Sequence, residues 1–204
     1  MLLLIHIWRR SLDFGRIIDS ISPILRDARK LDFIGETKIV FSWFLDGISN
    51  HPNAMSVVPG IIAVNAEWAA RLVLFNSQEV KDAFRYTIGH EMTHQAGDYN
   101  YLEAFTVDKR FVNWVSEVHA DYGGAVSAFN GDLNKAISAI DYKARGIKKD
   151  NDHQGHPSWK RRQDYLKIGS FDDKMIQQIA NDVGCRKRIL IENVIKFYKP
   201  IVLK

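Results

Sequence analysis

A single cysteine, Cys185, occurs among the 204 residues of this chain. No internal disulfide can form, which excludes a disulfide-stapled secreted scaffold. The same thiol has no cysteine partner for a thiolate-rich zinc site and is read as structural. Long apolar runs are also missing. Met1 to Trp8 is apolar but too short to span a bilayer, and Arg9 and Arg10 end it. A signal peptide places its basic residues before the apolar part, the reverse of this order. Ile189 to Leu203 is interrupted by Glu192, Lys196 and Lys199. The expectation is a soluble, cytoplasmic protein without a membrane span. Internal repeats and low-complexity tracts are absent as well.

Strong charge of one sign is lacking: the formal net charge is only +4. An ordinary solvated basic surface accounts for that value and argues against nucleic acid as a partner. The clusters Lys148-Lys149 and Lys160-Arg161-Arg162 are the features that would favour DNA. What is present is 46% hydrophobic content, enough for one domain with a substantial core.

Periodicity gives a coarse map. Residues 9–30 suggest an amphipathic helix, with Pro23 as a break. Lys38 to Leu45 is rich in β-branched and aromatic residues and reads as a strand, followed by a loop over 46–53. Ser56 to Val64 reads as a second strand interrupted at Pro59-Gly60, and 68–75 is ambiguous. Ser77 is a good cap for a helix over about 78–96 that Gly97 can end. Further helices are expected at 111–129, 132–145, 157–168, 173–182 and 185–199. The predicted fold class is α+β, mostly helical and zincin-like, with a small sheet before the 78–96 helix. It forms a single domain over 1–204, with a core at about 36–170 and helical extensions at 1–35 and 171–204.

Within the 78–96 helix stands His90-Glu91-Met92-Thr93-His94, an HExxH pattern. Residues four apart share a helix face, so two imidazoles can reach one ion while Glu91 handles a water. A third ligand is needed. Glu117 is the candidate, on the next helix in Glu117-Val118-His119-Ala120-Asp121. Asp121, four residues on, shares its face and can orient His90 by accepting the second ring N–H. Ala120 and Gly124 nearby suggest a tightly packed surface there. His119 points about 200° away from Glu117 around the helix and is not expected to be a ligand. A rival reading continues from His94 through Gly97 to Asn100, close to the metzincin pattern. Asn100 is uncharged where that pattern has His or Asp, and Met175, the one downstream Met-turn candidate, sits in a helical pattern.

HExxH followed by ExxxD resembles the gluzincin metallopeptidases. Gly155-His156-Pro157-Ser158-Trp159-Lys160-Arg161-Arg162, a His-Pro with Arg six residues after the His, is similar to the C-terminal motif of the HtpX and CAAX-prenyl-protease family. All three motifs occur in the family's order across about 58–168. The membrane helices of that family's best-known members have no counterpart, so a soluble minimal domain is expected. The resemblance implies one Zn2+ ion on His90, His94 and Glu117, and a peptide or protein substrate. Hydrolysis would use a zinc-activated water with Glu91 as general base. It also implies His156 as oxyanion donor and Arg162 as a support of the site. His153 is a nearby alternative donor, and Tyr99 and Tyr101, which could donate a phenol, are expected to line the rim instead. An extended peptide would add to a sheet edge, for which Ile61 to Asn65 is the candidate. The alternative class is a zinc-binding regulatory or interaction module with little or no proteolysis. A DNA-associated protease is a third reading.

Overall fold

The computed structural model describes residues 38–42, 54–58, 60–65, 68–69, 77–97, 108–145, 147 and 149–204. The expected helix at 9–30, the loop at 46–53, most of 68–75, and Tyr99, Asn100, Tyr101 and Lys148 lie outside them.

Three short strands come first: β1 (Lys38–Ser42), β2 (Ala54–Val58) and β3 (Ile61–Asn65). Their order across the sheet is β1-β3-β2. β3 runs parallel to β1, with Lys38 opposite Ile61 and Ser42 opposite Asn65. It runs antiparallel to β2, with Ala54 opposite Val64 and Ser56 opposite Ile62. The stretch read as one interrupted strand is therefore a hairpin. Gly60 has φ of 82°, a backbone state that a Cβ disfavours, and the chain reverses there. The expectation that Ile61–Asn65 offers a free edge is overturned. β3 is the middle strand and bonds on both sides, so the outer described strands are β1 and β2.

The first described long helix, α1 (Gln78–Gly97), starts where Ser77 Oγ accepts from Val80 N at 3.3 Å. Gly97, at φ 146°, closes it. Val80, Phe84, Ile88 and Met92, spaced by four, form one stripe, and they pack with Ile62 and Val64 of β3 and with Trp68. Burying each such side chain stabilises the fold by about 1.5–3 kcal/mol. The sheet thus lies on one face of α1, leaving another face free to meet α2 (Lys109–Phe129). Asp108 caps α2 by accepting from Phe111 N, and Asn130 ends it in the left-handed region at φ 53°.

Beyond α2 come α3 (Leu133–Ala144), α4 (Trp159–Leu166), β4 (Ser170–Phe171), α5 (Asp173–Val183), α6 (Arg188–Phe197) and β5 (Ile201–Val202). Side chains of Asp132, Ser158 and Asp172 cap α3, α4 and α5. The segment from 171 on is mostly helical, as expected, but it is not an appendage. Met175, Ile176, Ile179, Val194 and Leu203 share one core with Val118 and Tyr122 of α2. The architecture is α+β, with α1 and α2 packed together between a small sheet and a helical layer. Among the described residues no helix is long and apolar enough to cross a membrane.

Candidate metal centre

The α1–α2 contact is built on small residues. A Cβ on Gly123 would lie 2.8 Å from Thr93 Cβ, and one on Gly124 would lie 3.0 Å from Tyr86 O. This close approach brings Glu117 of α2 against the two HExxH histidines of α1. His90 Nε2 and His94 Nε2 are 3.1 Å apart. Glu117 Oε2 lies 3.6 Å from His90 Nε2, and its Oε1 lies 3.6 Å from His94 Nε2. Tetrahedral zinc with bonds of about 2.0–2.2 Å places ligand atoms roughly 3.3–3.5 Å apart. The three groups straddle that spacing, and their ligand atoms all lie within 4.8 Å of one another.

Their protonation follows from their other partners. His90 Nδ1 is 3.0 Å from Asp121 Oδ1. An ionised carboxylate only accepts, so this contact puts a proton on Nδ1, and in the neutral ring Nε2 is then the nitrogen with the lone pair. His94 Nδ1 lies 3.2 Å from Ser116 Oγ, a hydroxyl able to accept from it. With each Nδ1 turned to another partner, both Nε2 atoms face Glu117, and in the tautomers that leave them unprotonated this donor set fits a borderline divalent cation such as zinc.

Asp121 is fully buried and gathers the support. Tyr86 donates its hydroxyl to Oδ1 at 2.8 Å. Arg162 donates Nε to Oδ2 at 2.8 Å and Nη2 to Oδ1, and its Nη1 lies 3.4 Å from Glu117 Oε2. Burial acts to raise the Asp121 pKa, but the charge and hydrogen bonds of Arg162, with the His90 bond, outweigh it and hold the carboxyl well below its usual range. Burial opposes ionisation of Glu117 too, and there the His94 contact and the Arg162 charge hold the pKa far down. The Tyr86 phenol is pushed up by burial and by Asp121, and so remains a donor.

Glu91 faces the sheet. It is 7% exposed, and its Oε2 accepts from Ser56 N of β2 at 2.8 Å. One turn on, Gln95 Oε1 accepts from Gly60 N at 2.6 Å, while its amide donates to Ile61 O at 3.2 Å and to Ser56 Oγ. Glu91 and Gln95 therefore fasten the β2–β3 hairpin to α1.

The sequence-derived residues divide into those brought together and those not. His90, His94, Glu117, Asp121 and Arg162 form one cluster. His156 is an exposed loop residue whose Nδ1 lies 3.2 Å from Pro157 O and whose ring sits tilted beside that of His153, with centroids 5.5 Å apart. No described hydrogen bond or ion pair joins it to the three ligands. Its loop is held where Trp114 Nε1 donates to His153 O at 2.8 Å, about one turn before Glu117 on α2. His119 packs on Phe171 and Tyr198 with ring centroids 5.1 and 4.6 Å away. Met175 is buried within α5, a helix rather than a Met-turn. The Lys160-Arg161-Arg162 run is divided: Lys160 pairs with Asp164, Arg161 with Asp152, and Arg162 turns inward.

Tyr86, Ser116, Gln95 and Lys143 join or border the site without having been read from the sequence. Tyr86 had a legible signal, since Tyr86, His90 and His94 follow one another at four-residue steps. Ser116 and Lys143 had none, because their roles depend on packing between helices. Compared with protein-family models, curated proteins and solved structures, the chain matches none of them.

Proposed function

We propose that this chain is a zinc-dependent endopeptidase with a zincin-like site, of the gluzincin kind that its HExxH, ExxxD and His-Pro…Arg motifs resemble. The observation that carries this reading is the convergence of His90, His94 and Glu117, whose facing atoms lie 3.1 to 3.6 Å apart. When bound, one zinc ion supplies Lewis acidity toward a peptide carbonyl and lowers the pKa of a water from about 15.7 toward roughly 7. Asp121 holds His90 in the tautomer that leaves Nε2 free, and Arg162 fixes Asp121. Glu91 takes the proton of the attacking water and delivers it to the leaving amine, giving one carboxylate and one amine product. Its Oε2 accepts from Ser56 N, which leaves Oε1 for that transfer. His156, on the loop beside Trp114, is the proposed oxyanion donor. The outer strand β2, which touches Glu91, takes the place of β3 as the edge that an extended peptide joins.

The test is metal content and cleavage together. The wild type is expected to hold one zinc per chain and His94→Ala to lose it, while Glu91→Gln keeps zinc and loses peptide hydrolysis. An undiminished rate in Glu91→Gln rejects the mechanism. A second reading, a zinc-holding regulatory or interaction module, draws on the burial of Glu91 and its bond to Ser56. Zinc-loaded protein that cuts no member of a peptide library would establish it instead.

A further inference from the structure

The backbone amide of Ser56 is spent on Glu91 rather than on the sheet. It donates to Glu91 Oε2 at 2.8 Å, while Ser56 stands opposite Ile62 in the antiparallel pairing of β2 with β3. In such a pair the N–H and C=O of one residue point to the same side of the strand, and the sides alternate along the chain. The amide and carbonyl of Ser56 therefore point away from β3, toward the outer edge of β2. The side chains agree with this alternation. Ala54 is buried in one cluster with Ile62 and Val64, and Ser56 Oγ accepts from Gln95 of α1. Met55 between them is 46% exposed. Ala54 and Ser56 thus face α1 together and present their N–H and C=O groups to the same outer edge. Beyond Ser56 the register shifts before Val58, which ends the regular ladder.

A peptide that joins this edge beside Glu91 needs the Ser56 amide as a donor. The exchange replaces an N–H bond to a carboxylate with an N–H bond to a neutral carbonyl, and charge-assisted bonds are roughly twice as strong. At that one contact the exchange is uphill. It becomes favourable when the incoming chain also donates to Ser56 O and continues the ladder to Ala54, two residues on. A peptide with a single residue on each side of the scissile bond is too short to do so.

We propose that Ser56 sets the substrate length this site accepts: its outward amide holds Glu91 until an extended chain that pairs with both Ser56 and Ala54 takes the carboxylate's place. The substrates are then extended segments, and dipeptides are turned over slowly. This rests on the peptidase reading above and states which substrates that site selects. While the bond stands, one oxygen of the base is tied to the edge. When a peptide carbonyl takes the amide, both oxygens are released toward the reacting groups.

The experiment compares zinc-loaded wild type, Ser56→Pro and Ser56→Ala on two substrates, a long library peptide that the wild type cuts and a blocked dipeptide with the same scissile bond. Proline at 56 removes the N–H without removing a bond to β3, and an outer strand tolerates it. Ser56→Ala keeps the N–H and loses only the hydroxyl contact with Gln95. Ser56→Pro is expected to raise kcat on the dipeptide on the order of tenfold, the scale of one hydrogen bond to a charged group. It should also raise KM for the long peptide, whereas Ser56→Ala should keep the wild-type kcat on both. In metal-free protein, the Ser56 amide should exchange its hydrogen slowly in the wild type and faster in Glu91→Ala. A folded Ser56→Pro protein that cuts the dipeptide no faster than the wild type overturns the proposal. So does an equal gain in Ser56→Ala, which a loosened hairpin would give, or an exchange rate that Glu91→Ala leaves unchanged. If Ser56→Pro does not fold, the exchange comparison decides alone. Zinc-loaded wild type that cuts no library peptide overturns the peptidase reading instead, and this inference with it.

Discussion

Asp121 accepts from Tyr86, His90 and Arg162 in a fully buried position. Replacing it with Asn removes the charge that Arg162 is paired with and lets the amide offer a donor to another donor. Breaking a buried pair from one side costs about 3–5 kcal/mol. Asp121→Asn is therefore expected to lower stability by that order in denaturant titrations. Loss of the bond that orients His90 should also weaken zinc binding by about 10–100-fold. The pH dependence has a definite sign. Unfolded Asp and Glu carboxyls titrate near 3.8 and 4.5, and the folded Asp121 and Glu117 carboxyls are held lower. Their stabilisation is present above those values and is lost as pH falls below about 4.5. Metal-free protein should show this acid limb in thermal melts, and Asp121→Asn should show a shallower one.

At the scale of elements, the site depends on how closely α1 and α2 approach. Gly123 lies against Thr93, and Gly124 lies against the α1 backbone at Tyr86 and His90. A Cβ at Gly123 meets Thr93 Cβ at 2.8 Å, a branch point that cannot swing away. Gly123→Ala should push the helices apart, cost about 1–3 kcal/mol, and reduce zinc occupancy through displacement of Glu117. Calorimetry and metal analysis would check this, and an unchanged zinc affinity would mean that the helix spacing does not set the site. Much at this scale was legible. The helix expected at 78–96 is observed as Gln78–Gly97, and that expected at 111–129 as Lys109–Phe129. Their caps and apolar stripes are local features of the chain. The β2–β3 hairpin was not separated into two strands: Pro59-Gly60 reads as an interruption of one strand-forming run, and the reversal shows only in the antiparallel pairing and the φ of Gly60.

For the whole molecule, the last described residues close the core. Leu203 N donates to Gly169 O and Lys204 N to Gly131 O, each at 2.8 Å, while β5 pairs with β4. Leu203 is buried in the same core as Tyr122 and Ile179. Leu203→Ala should cost about 2–5 kcal/mol of stability and leave zinc stoichiometry at the wild-type value, since Leu203 lies by Gly131, just past the end of α2 far from Glu117. Loss of zinc in a folded Leu203→Ala protein would show that the helical layer and the metal centre are coupled.

The sequence by itself picked out the residues that gather as a possible metal site and most of the described helical segments. The four-residue spacing of His90 and His94, and of Glu117 and Asp121, is a property of the helix repeat and needs no tertiary contact. Only the folded chain decided that Glu117 meets both imidazoles, that Arg162 turns inward while Lys160 and Arg161 do not, and that Lys143 lies buried beside the cluster. The same folding made β3 a central strand and β2 an outer one. Those outcomes depend on contacts between residues far apart in the chain, which periodicity along a single segment cannot encode.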